Sequence, residues 1–400
     1  MSLVRVARSV ASIAACAGAV AGLPLLASAV STGCGSSGNP GAGFDASFVP
    51  PFNPGDSGHT STGFSNGTGP GSSGASTGGN TTGTGPGGGS SGASTSSSAG
   101  ACTTNTGPIS GSVTTTGGSV SRLVFAVVGD TRPTNEDDPS GYPTAIITKI
   151  FQDIEAQSPH PVLALGTGDY QFTEATNDTD ATAQISLFMT ARQDYSGPWF
   201  PAMGNHECGV SGSYTTSDNN DCGPGNPGGA TANYNAFIAG MMTPINQTLP
   251  YYSINVSASD NSWTAKFVMT AANAWSSAQQ TWLTTTMAEK TTYTFVVRHE
   301  ATDATPPIPD CIPTIDSIIT AAGYTLLIVG HTHNYGHYSD APQTVVFGNG
   351  GAPLSSGDYG YGLFSQRCDG AIVVDEYDYM TGVTDSQFHF VITPSGTITN

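Results

Sequence analysis

The stretch Gly204-Asn205-His206-Glu207 follows directly on the apolar run of residues 199–203. Four other short apolar runs also end close to a residue that carries a carboxylate or imidazole group. In chain order, the polar residues at these five ends are Asp130, Asp169, Asn205, His299, and the pair His331 and His333. The carboxyl ends of strands in an α/β sheet line one crevice. We therefore expect these side chains, which are far apart in the sequence, to meet in space.

Apolar runs of strand length alternate with stretches of helical periodicity after residue 120. This alternation predicts an α/β domain with a largely buried sheet. The predicted strands are residues 123–128, 161–165, 199–203, 251–256, 265–270, 293–297 and 326–329. The predicted helices are residues 142–156, 181–194, 277–288 and 313–322. The tail from residue 344 is richer in strands, and it predicts a second sheet that packs on the first.

The six strand-end residues offer carboxylate oxygens, an amide oxygen and imidazole nitrogens. Zn, Mn, Fe and Co suit this mixture of ligand atoms, whereas Cu(I) prefers softer ones. A single Asp or His at a strand end is usually a cap or a turn residue. Here six such residues, Asn205 among them, lie near the ends of five predicted strands, and their ligand atoms suit a metal ion. A cysteine-based metal site is disfavoured, because the sequence has no CxxC spacing.

The order of these residues resembles the five metal motifs of the calcineurin-like metallophosphoesterases, a superfamily that includes purple acid phosphatases and cyclic-nucleotide phosphodiesterases. The motifs here read Gly129-Asp130, Gly168-Asp169, Gly204-Asn205-His206-Glu207, Val297-Arg298-His299 and Gly330-His331-Thr332-His333. The resemblance covers residues 122–355. It implies a two-sheet β-sandwich flanked by helices, in four layers of the order α/β/β/α. It also implies hydrolysis of a phosphate mono- or diester by a metal-activated water.

The same resemblance assigns roles to single residues. Asp169 would bridge two divalent or trivalent ions of Fe, Mn, Zn or Co. One site would be completed by Asn205, His299 and His331, and the other by Asp130 and His333. His206 would approach the scissile phosphate as a catalytic residue, and Glu207 would orient His206. Two ions held in this way would clamp the phosphate and stabilise an in-line displacement.

The first motif departs from the pattern of the family, which usually reads Asp-x-His and uses that His as a ligand of the first metal. This chain reads Asp130-Thr131-Arg132. Purple acid phosphatases also lack the His, but they supply a Tyr three positions after the second-motif Asp, where this chain has Phe172. The first metal site is therefore predicted to be short of ligands. Arg132 either binds substrate phosphate in a bidentate fork, which would make it catalytic, or pairs with the carboxylates of residues 136–138.

The first 100 residues differ in composition from the rest of the chain. Arg5 and Arg8 precede an uncharged, Ala-rich run over residues 10–29, which is typical of an export signal, so residues 1–33 are predicted to be a signal peptide. Residues 34–100 are rich in Gly, Ser, Thr and Pro and have almost nothing to bury, which predicts a disordered stalk. Residues 101–400 are predicted to form the metallophosphoesterase domain.

Two processing sites compete at the end of the predicted signal peptide. Ala27-Ser28-Ala29 fits ordinary cleavage, whereas Ser31-Thr32-Gly33-Cys34 resembles a bacterial lipobox, in which Cys34 would be lipidated. Both alternatives predict an exported protein. The first predicts a secreted or periplasmic one, and the second predicts a lipoprotein of the cell envelope whose only membrane contact is the lipid on Cys34.

The chain is acidic, with a net charge of −19 from 29 Asp and Glu against 10 Lys and Arg. So few basic residues do not make a groove that follows a phosphate backbone, and nucleic acid is disfavoured as a partner. A small-molecule phosphate ester remains compatible with this charge, because bound metal ions supply positive charge locally.

Seven cysteines are present, and export would permit them to form disulfides. Cys208 and Cys222 bracket a short polar, Gly-rich segment and are the pair that we expect first. A pair of Cys311 with Cys368 is a weaker expectation, because spacing does not determine connectivity.

Two functions from different classes follow from these observations. The first is metal-dependent hydrolysis of a phosphate mono- or diester by an exported enzyme. The alternative is a non-catalytic surface lipoprotein, in which the altered first motif marks a degenerate metal site and the domain is a binding module. The presence of His206 and of every ligand of the second site favours the hydrolase.

Overall fold

The computed structural model describes residues 107–209, 222–302, 309–337, 341, 343–379 and 384–399. The predicted signal peptide and stalk, together with Cys34, lie outside the described residues. Within the described part of the chain, no helix is long and apolar enough to cross a membrane.

Short strands and helices alternate along most of the described chain. The first strands are β1 (Gly111–Thr114), β2 (Gly117–Val120), β3 (Val124–Val128), β4 (Leu163–Gly166) and β5 (Trp199–Pro201). The later strands are β6 (Tyr252–Ala258), β7 (Thr264–Met269), β8 (Tyr293–Val297), β9 (Leu326–Val329), β10 (Tyr335–His337), β11 (Thr344–Phe347), β12 (Gly360–Gln366), β13 (Ile372–Asp378), β14 (Thr384–Ile392) and β15 (Ile398–Thr399). The α-helices are α1 (Thr144–Ala156), α2 (Asp178–Ala191), α3 (Ala232–Phe237), α4 (Ser277–Ala288) and α5 (Ile312–Ala322).

The strands form two sheets. The first has the order β15-β14-β13-β12-β3-β4-β5, and its strands β3, β4 and β5 are parallel. The second has the order β1-β2-β6-β7-β8-β9-β11-β10, and its strands β7, β8, β9 and β11 are parallel. The tail strands β12, β13 and β14 extend the first sheet through the antiparallel pairing of β12 with β3. The expectation that the tail builds a second sheet of its own was therefore wrong, because the middle of the chain supplies most of that sheet.

The two sheets pack face to face through aromatic side chains. The ring of Phe125, on β3, lies 5.1 Å from the ring of Phe267 on β7 and 5.0 Å from the ring of Phe295 on β8. All three side chains are fully buried. Burying a side chain of this size stabilises the fold by about 1.5–3 kcal/mol. The predicted two-sheet sandwich is confirmed.

Helices cover the outer face of each sheet. On the first sheet, Phe151 of α1 packs against Phe188 of α2 and Trp199 of β5, with ring centroids 6.0 and 5.5 Å away. On the second sheet, buried side chains of α4 and α5, such as Leu283 and Ile315, join one apolar cluster with side chains of β7, β8 and β9. The apolar spacing of α1 explains its position, because its buried residues recur every three or four positions along one face.

The parallel strands position the polar residues that follow them. Strands β3, β4 and β5 end shortly before Asp130, Asp169 and Asn205, and strands β8 and β9 end shortly before His299 and His331. The carboxyl ends of both sheets therefore deliver their polar residues to one rim of the sandwich, as expected for a ligand site in an α/β fold.

Candidate metal centre

The six predicted metal ligands lie together at this rim, and each of them contacts at least one of the others. Asp130, Asp169, Asn205 and His299 are buried, and His331 and His333 are half-buried. The structure thus brings together every residue that the sequence predicted as a ligand, although the first and the last are separated by 203 positions.

Four of these side chains converge on one small volume. The Nε2 atom of His299 lies 3.0 Å from Asn205 Oδ1, 3.2 Å from His331 Nδ1 and 3.3 Å from Asp169 Oδ1. The Nδ1 atom of His331 in turn lies 3.2 Å from Asn205 Oδ1. Ligands that share one metal ion are separated by similar distances, because metal bonds to nitrogen and oxygen are about 2.0–2.2 Å long.

In His299 and His333, a hydrogen bond at Nδ1 determines that the lone pair lies on Nε2, the nitrogen that faces the other candidate ligands. His299 Nδ1 lies 2.9 Å from the carbonyl oxygen of Thr167, and His333 Nδ1 lies 2.8 Å from that of Pro353. A carbonyl oxygen only accepts, so both Nδ1 atoms donate a proton. In the neutral rings, both Nε2 atoms therefore present lone pairs toward the other candidate ligands. Metal-binding histidines are usually held by a second hydrogen bond of this kind.

This arrangement needs a cation. The Asn205 oxygen, the Asp169 carboxylate and the lone pair of neutral His299 all face one another, and none of them carries a proton to donate. Buried lone pairs that face one another are unfavourable unless a cation or a proton lies between them. Nitrogen and oxygen atoms in this mixture fit a divalent transition-metal ion or zinc.

The other side of the site is built from Asp130 and His333. His333 Nε2 lies 3.5 Å from Asp130 Oδ1, and both carboxylate oxygens of Asp130 accept from the backbone N–H of His331, at 3.1 and 2.9 Å. A carboxylate oxygen of Asp130, one of Asp169 and a ring nitrogen of His299 lie within 4.8 Å of one another. The single lone pair of His299 Nε2 serves one ion only, so a second ion beside the first would be held by Asp130, His333 and the shared carboxylate of Asp169.

The backbone of four candidate ligands is strained. Asp130, Asp169, His331 and His333 have φ angles of 54°, 58°, 73° and 49°. Residues other than glycine rarely adopt this left-handed conformation, which costs about 1–3 kcal/mol at each position and is concentrated at functional sites. Four such residues around one cluster indicate that the fold is organised to present these side chains.

Glycines before the ligands permit the close approach of the loops. A Cβ atom on Gly204 would lie 2.3 Å from Asp169 Oδ1, and one on Gly330 would lie 2.4 Å from Asp130 Oδ2. Any larger residue would displace the carboxylates. The glycine that precedes the ligand in these motifs is therefore required by packing at the site itself.

Charged neighbours shift the pKa values of two candidate ligands in opposite directions. Burial would lower the pKa of His299, but the carboxylates of Asp169 and Asp130 outweigh it and raise this pKa well above its usual value. Burial would likewise raise the pKa of Asp169, but the neighbouring His299 and His206 hold it well below its usual value. Without a metal, His299 therefore keeps a second proton, which takes the place of the cation beside Asp169.

Comparison with known families identifies the chain. Residues 123–335 match the family model described as calcineurin-like phosphoesterase, which is more than half of the sequence. The chain belongs to the calcineurin-like phosphoesterases. The resemblance predicted from the five motifs is confirmed over these residues. A comparison with curated proteins gave no match.

Several solved structures share a distant similarity with this phosphoesterase. GAP50, the anchor in the inner membrane complex of Plasmodium, is 14% identical over 68% of this chain and 89% of its own, with a TM-score of 0.47. The purple acid phosphatase PPD1 of yellow lupin is 15% identical over 68% of this chain and 54% of its own, with a TM-score of 0.46. A dimetal phosphatase from Danio rerio is 12% identical over 68% of this chain and 99% of its own, with a TM-score of 0.43.

Arg132 stands where most calcineurin-like phosphoesterases have a histidine ligand, and its side chain turns toward the site. Its Nε atom lies 3.9 Å from Asp169 Oδ2 and has no hydrogen-bond partner among the described residues. Its guanidinium carbon lies 4.6 Å from the centre of the Phe172 ring. Among the described residues, Arg132 pairs with Asp169 and not with the carboxylates of residues 136–138, which the sequence had offered as partners. The guanidinium therefore faces the Asp169 carboxylate at the rim.

His206 lies beside Arg132 at the same carboxylate. Its Nε2 atom is 3.7 Å from Asp169 Oδ2, and its ring makes an edge contact with Phe172, with the two centroids 4.6 Å apart. Burial lowers the pKa of His206 well below its usual value, so the ring is neutral. The Phe172 ring thus contacts both the Arg132 guanidinium and the His206 imidazole.

Glu207 does not orient His206, contrary to the expectation from the resemblance. Its buried carboxylate accepts from the backbone N–H groups of Gly204, Asp169 and Tyr170, at 2.7, 2.9 and 2.8 Å. Burial and the charge of Asp169 raise its pKa to about 7. Glu207 therefore joins the loop after β4 to the loop after β5, and it fixes the backbone that carries two candidate ligands.

One expected disulfide is present, and the other is not. Cys208 and Cys222 are bonded, which confirms the first pair. Cys311 is a buried thiol whose Sγ lies 3.3 Å from the carbonyl oxygen of Ala272. Cys368 is disulfide-bonded, and its partner lies outside the described residues. The expected pair of Cys311 with Cys368 was therefore wrong.

The sequence prediction missed one residue of the site. The carboxylate of Glu300 offers an oxygen that lies within 4.8 Å of ring nitrogens of His299 and His331. Its position in the sequence, directly after a predicted ligand, was the available signal. The neighbour of a strand residue normally points to the opposite face, but β8 ends at Val297 and this alternation no longer applies.

Proposed function

We propose that this calcineurin-like phosphoesterase hydrolyses phosphate mono- or diesters with the help of bound metal ions. The observation that carries the proposal is the convergence of Asp169, Asn205, His299 and His331 on one volume, with lone pairs that only a cation or a proton can satisfy. A second proton on His299 satisfies these atoms in the metal-free protein, and a metal ion would replace that proton.

The candidate ligands divide into two groups around Asp169. One group consists of Asn205, His299 and His331. The other, at the site of the first motif, consists of Asp130 and His333. Ions bound there would act as Lewis acids toward a phosphate oxygen and would lower the pKa of water. The group of Asn205, His299 and His331 is the more complete, because the site of the first motif has Arg132 in place of a further ligand.

Two other side chains would act on the substrate directly. Arg132 would bind a non-bridging phosphate oxygen through its guanidinium, which is planar and always charged. His206 is neutral, and its N–H would donate a hydrogen bond to a phosphate or leaving-group oxygen as negative charge develops there. Both side chains lie within 4.0 Å of the same Asp169 oxygen, so one phosphate group could contact both.

We also propose that the enzyme works outside the cytoplasm. The charged, then apolar, N-terminal sequence supports export, and the bond between Cys208 and Cys222 is of the kind that persists in an oxidising compartment. Ordinary cleavage after Ala29 and lipidation of Cys34 remain the two alternatives for processing. Mass spectrometry of the mature N-terminus separates them.

The alternative function is a non-catalytic binding module. The observation in its favour is Arg132, whose positive charge lies 3.9 Å from the carboxylate that would bridge the ions. In this alternative the rim would bind an anion without hydrolysing it.

Hydrolysis of chromogenic aryl phosphate mono- and diesters tests the proposal. The purified chain would be stripped with a chelator and assayed after addition of Mn, Zn, Co or Fe, beside the variant His331→Ala. We expect turnover that depends on the added metal and is lost in the variant. Absence of turnover with every metal, in a protein that still binds phosphate, would favour the binding module.

A further inference from the structure

Glu300 is a buried carboxylate with one unsatisfied oxygen. Its side chain is fully buried, and its Oε2 atom has no hydrogen-bond partner among the described residues. A buried charge without a partner is costly, and buried carboxylates normally pair with a cation or accept several hydrogen bonds. Either a proton on the carboxyl group or a nearby cation would remove this cost.

A candidate cation site beside Glu300 lies between His299 and His331. A carboxylate oxygen of Glu300 and one ring nitrogen of each histidine all lie within 4.8 Å of one another. Two ligands on opposite sides of one ion are about 4.2 Å apart, and adjacent ligands are closer, given bonds of about 2.1 Å. The bound of 4.8 Å is close to this range, so small movements of the side chains would let all three contact a single ion.

Other contacts hold Glu300 in this place. Asn273 Nδ2 donates to Glu300 Oε1, and Arg298 Nε donates to the backbone oxygen of Glu300 at 2.6 Å. Asn273 is itself tied to the disulfide, since the backbone N–H of Cys222 donates to its carbonyl oxygen at 3.3 Å. The Asn273 amide thus holds Oε1 of Glu300. This contact also fixes the orientation of the other carboxylate oxygen, Oε2.

We propose that Glu300 is an additional metal ligand at the site of His299 and His331. This inference rests on the metal centre of the proposed function, and it adds a residue that the five motifs do not contain. With Asp169, it brings a second negative charge to a divalent ion whose other ligands, Asn205 and the two neutral histidines, carry none. The ion at this site would then be the more tightly held of the two.

Binding of Co²⁺ to the full chain tests this proposal. The metal-free wild type, Glu300→Gln and Glu376→Gln would be titrated by calorimetry, and the visible absorption of bound Co²⁺ would report its ligands. Glu376 is a matched control, because it is also fully buried and also accepts from an asparagine side chain, that of Asn349 at 2.9 Å. It lies on β13 and is not a candidate ligand.

We expect Glu300→Gln to weaken Co²⁺ binding by at least about 10- to 100-fold and to change the absorption spectrum, and we expect Glu376→Gln to leave both unchanged. Wild-type affinity and spectrum in Glu300→Gln would overturn the proposal. If circular dichroism shows that Glu300→Gln does not fold, Glu300→Asp replaces it. The aspartate keeps the charge but shortens the side chain, so weaker binding and a changed spectrum are again expected, and unchanged values would overturn the proposal.

Phosphate ester hydrolysis, assayed on the same samples, separates the two proposals. Weakened binding in Glu300→Gln without any turnover by the Co²⁺-loaded wild type would support Glu300 as a ligand and contradict the proposed function. Equal binding in both proteins, with turnover by the wild type, would overturn Glu300 as a ligand and support the proposed function. A wild type that binds no Co²⁺ would overturn both.

Discussion

The Nε2 atom of His299 lies 3.0 Å from the Oδ1 atom of Asn205, while the Nδ1 atom of the same ring faces the carbonyl oxygen of Thr167. The carbonyl holds one proton on Nδ1. A second proton on Nε2 or a metal ion must then satisfy the contact with Asn205. Competition between these two occupants determines how the site depends on pH.

Metal binding is predicted to weaken as pH falls. The carboxylates of Asp169 and Asp130 overcome the effect of burial and raise the pKa of His299, so its second proton is bound at neutral pH and must leave when the metal binds. Below that pKa, the apparent affinity should fall about tenfold per pH unit. Calorimetry in buffers of different ionisation enthalpy would measure the release of about one proton per ion. Release of no proton would contradict this account of His299.

Arg132→His is predicted to strengthen binding of a second ion by about 10- to 100-fold. The substitution removes a positive charge that lies 3.9 Å from Asp169 and adds an imidazole where the family usually has a ligand. Metal content after dialysis against a limiting metal concentration would measure the affinity for the second ion. Arg132→Ala is the control, because it removes the charge without adding a ligand. If the alanine variant gains as much affinity as the histidine variant, charge alone explains the effect.

His206→Ala is predicted to lower kcat by about 100- to 10,000-fold while it leaves metal content unchanged. His206 is not one of the four side chains that would hold the ion between them, and its Nε2 atom lies 3.7 Å from Asp169 Oδ2 at the rim. Steady-state kinetics and metal analysis of one preparation would separate the two effects. Loss of metal together with activity would show that His206 is a ligand.

Glu207→Ala is predicted to destabilise the metal-free protein by about 3 kcal/mol or more, because three buried backbone N–H groups lose their acceptor. Urea unfolding would measure the change in the free energy of unfolding. Glu207→Gln keeps one acceptor oxygen and should cost less. A change below about 1 kcal/mol in the alanine variant would contradict the role of Glu207 in joining the two loops.

The sequence predicted the central strands and four of the five α-helices in the described residues, because their signals are local, but it missed the short helix α3 (Ala232–Phe237). Helix α4 (Ser277–Ala288) has the predicted bounds, and Ser276 caps it by accepting from the N–H of Gln279 at 3.1 Å. The candidate ligands could be picked out for the same reason, since each one follows an apolar run that can be recognised without knowledge of the partner strand.

The division of the strands between the sheets could not be predicted in this way, because it depends on pairing between distant segments. Strand β12 (Gly360–Gln366) was missed. Its glycines weaken the strand signal, yet a Cβ atom on Gly362 would lie 2.4 Å from the ring of Phe347. The hairpin of β1 and β2 was missed too, because its Gly, Ser and Thr residues resemble the stalk before it.

The positions of Glu207, Arg132 and Glu300 depend on loops, and sequence patterns do not determine where a loop side chain points. Glu207 was expected beside His206, but the nearby backbone N–H groups offer three donors to its carboxylate. Arg132 was compatible with the acidic loop that follows it or with the site, and its contacts with Asp169 and Phe172 show that it turns toward the site.

The most direct test of the account follows activity and bound metal together. Metal-free protein would be titrated with Mn, Zn, Co or Fe, and bound ion and hydrolysis of an aryl phosphate would be measured at each step. The account predicts that hydrolysis is absent without metal and rises in proportion to bound ion until the site is full. Hydrolysis that is unaffected by complete removal of the metal, or an ion that binds fully without producing turnover, would contradict it.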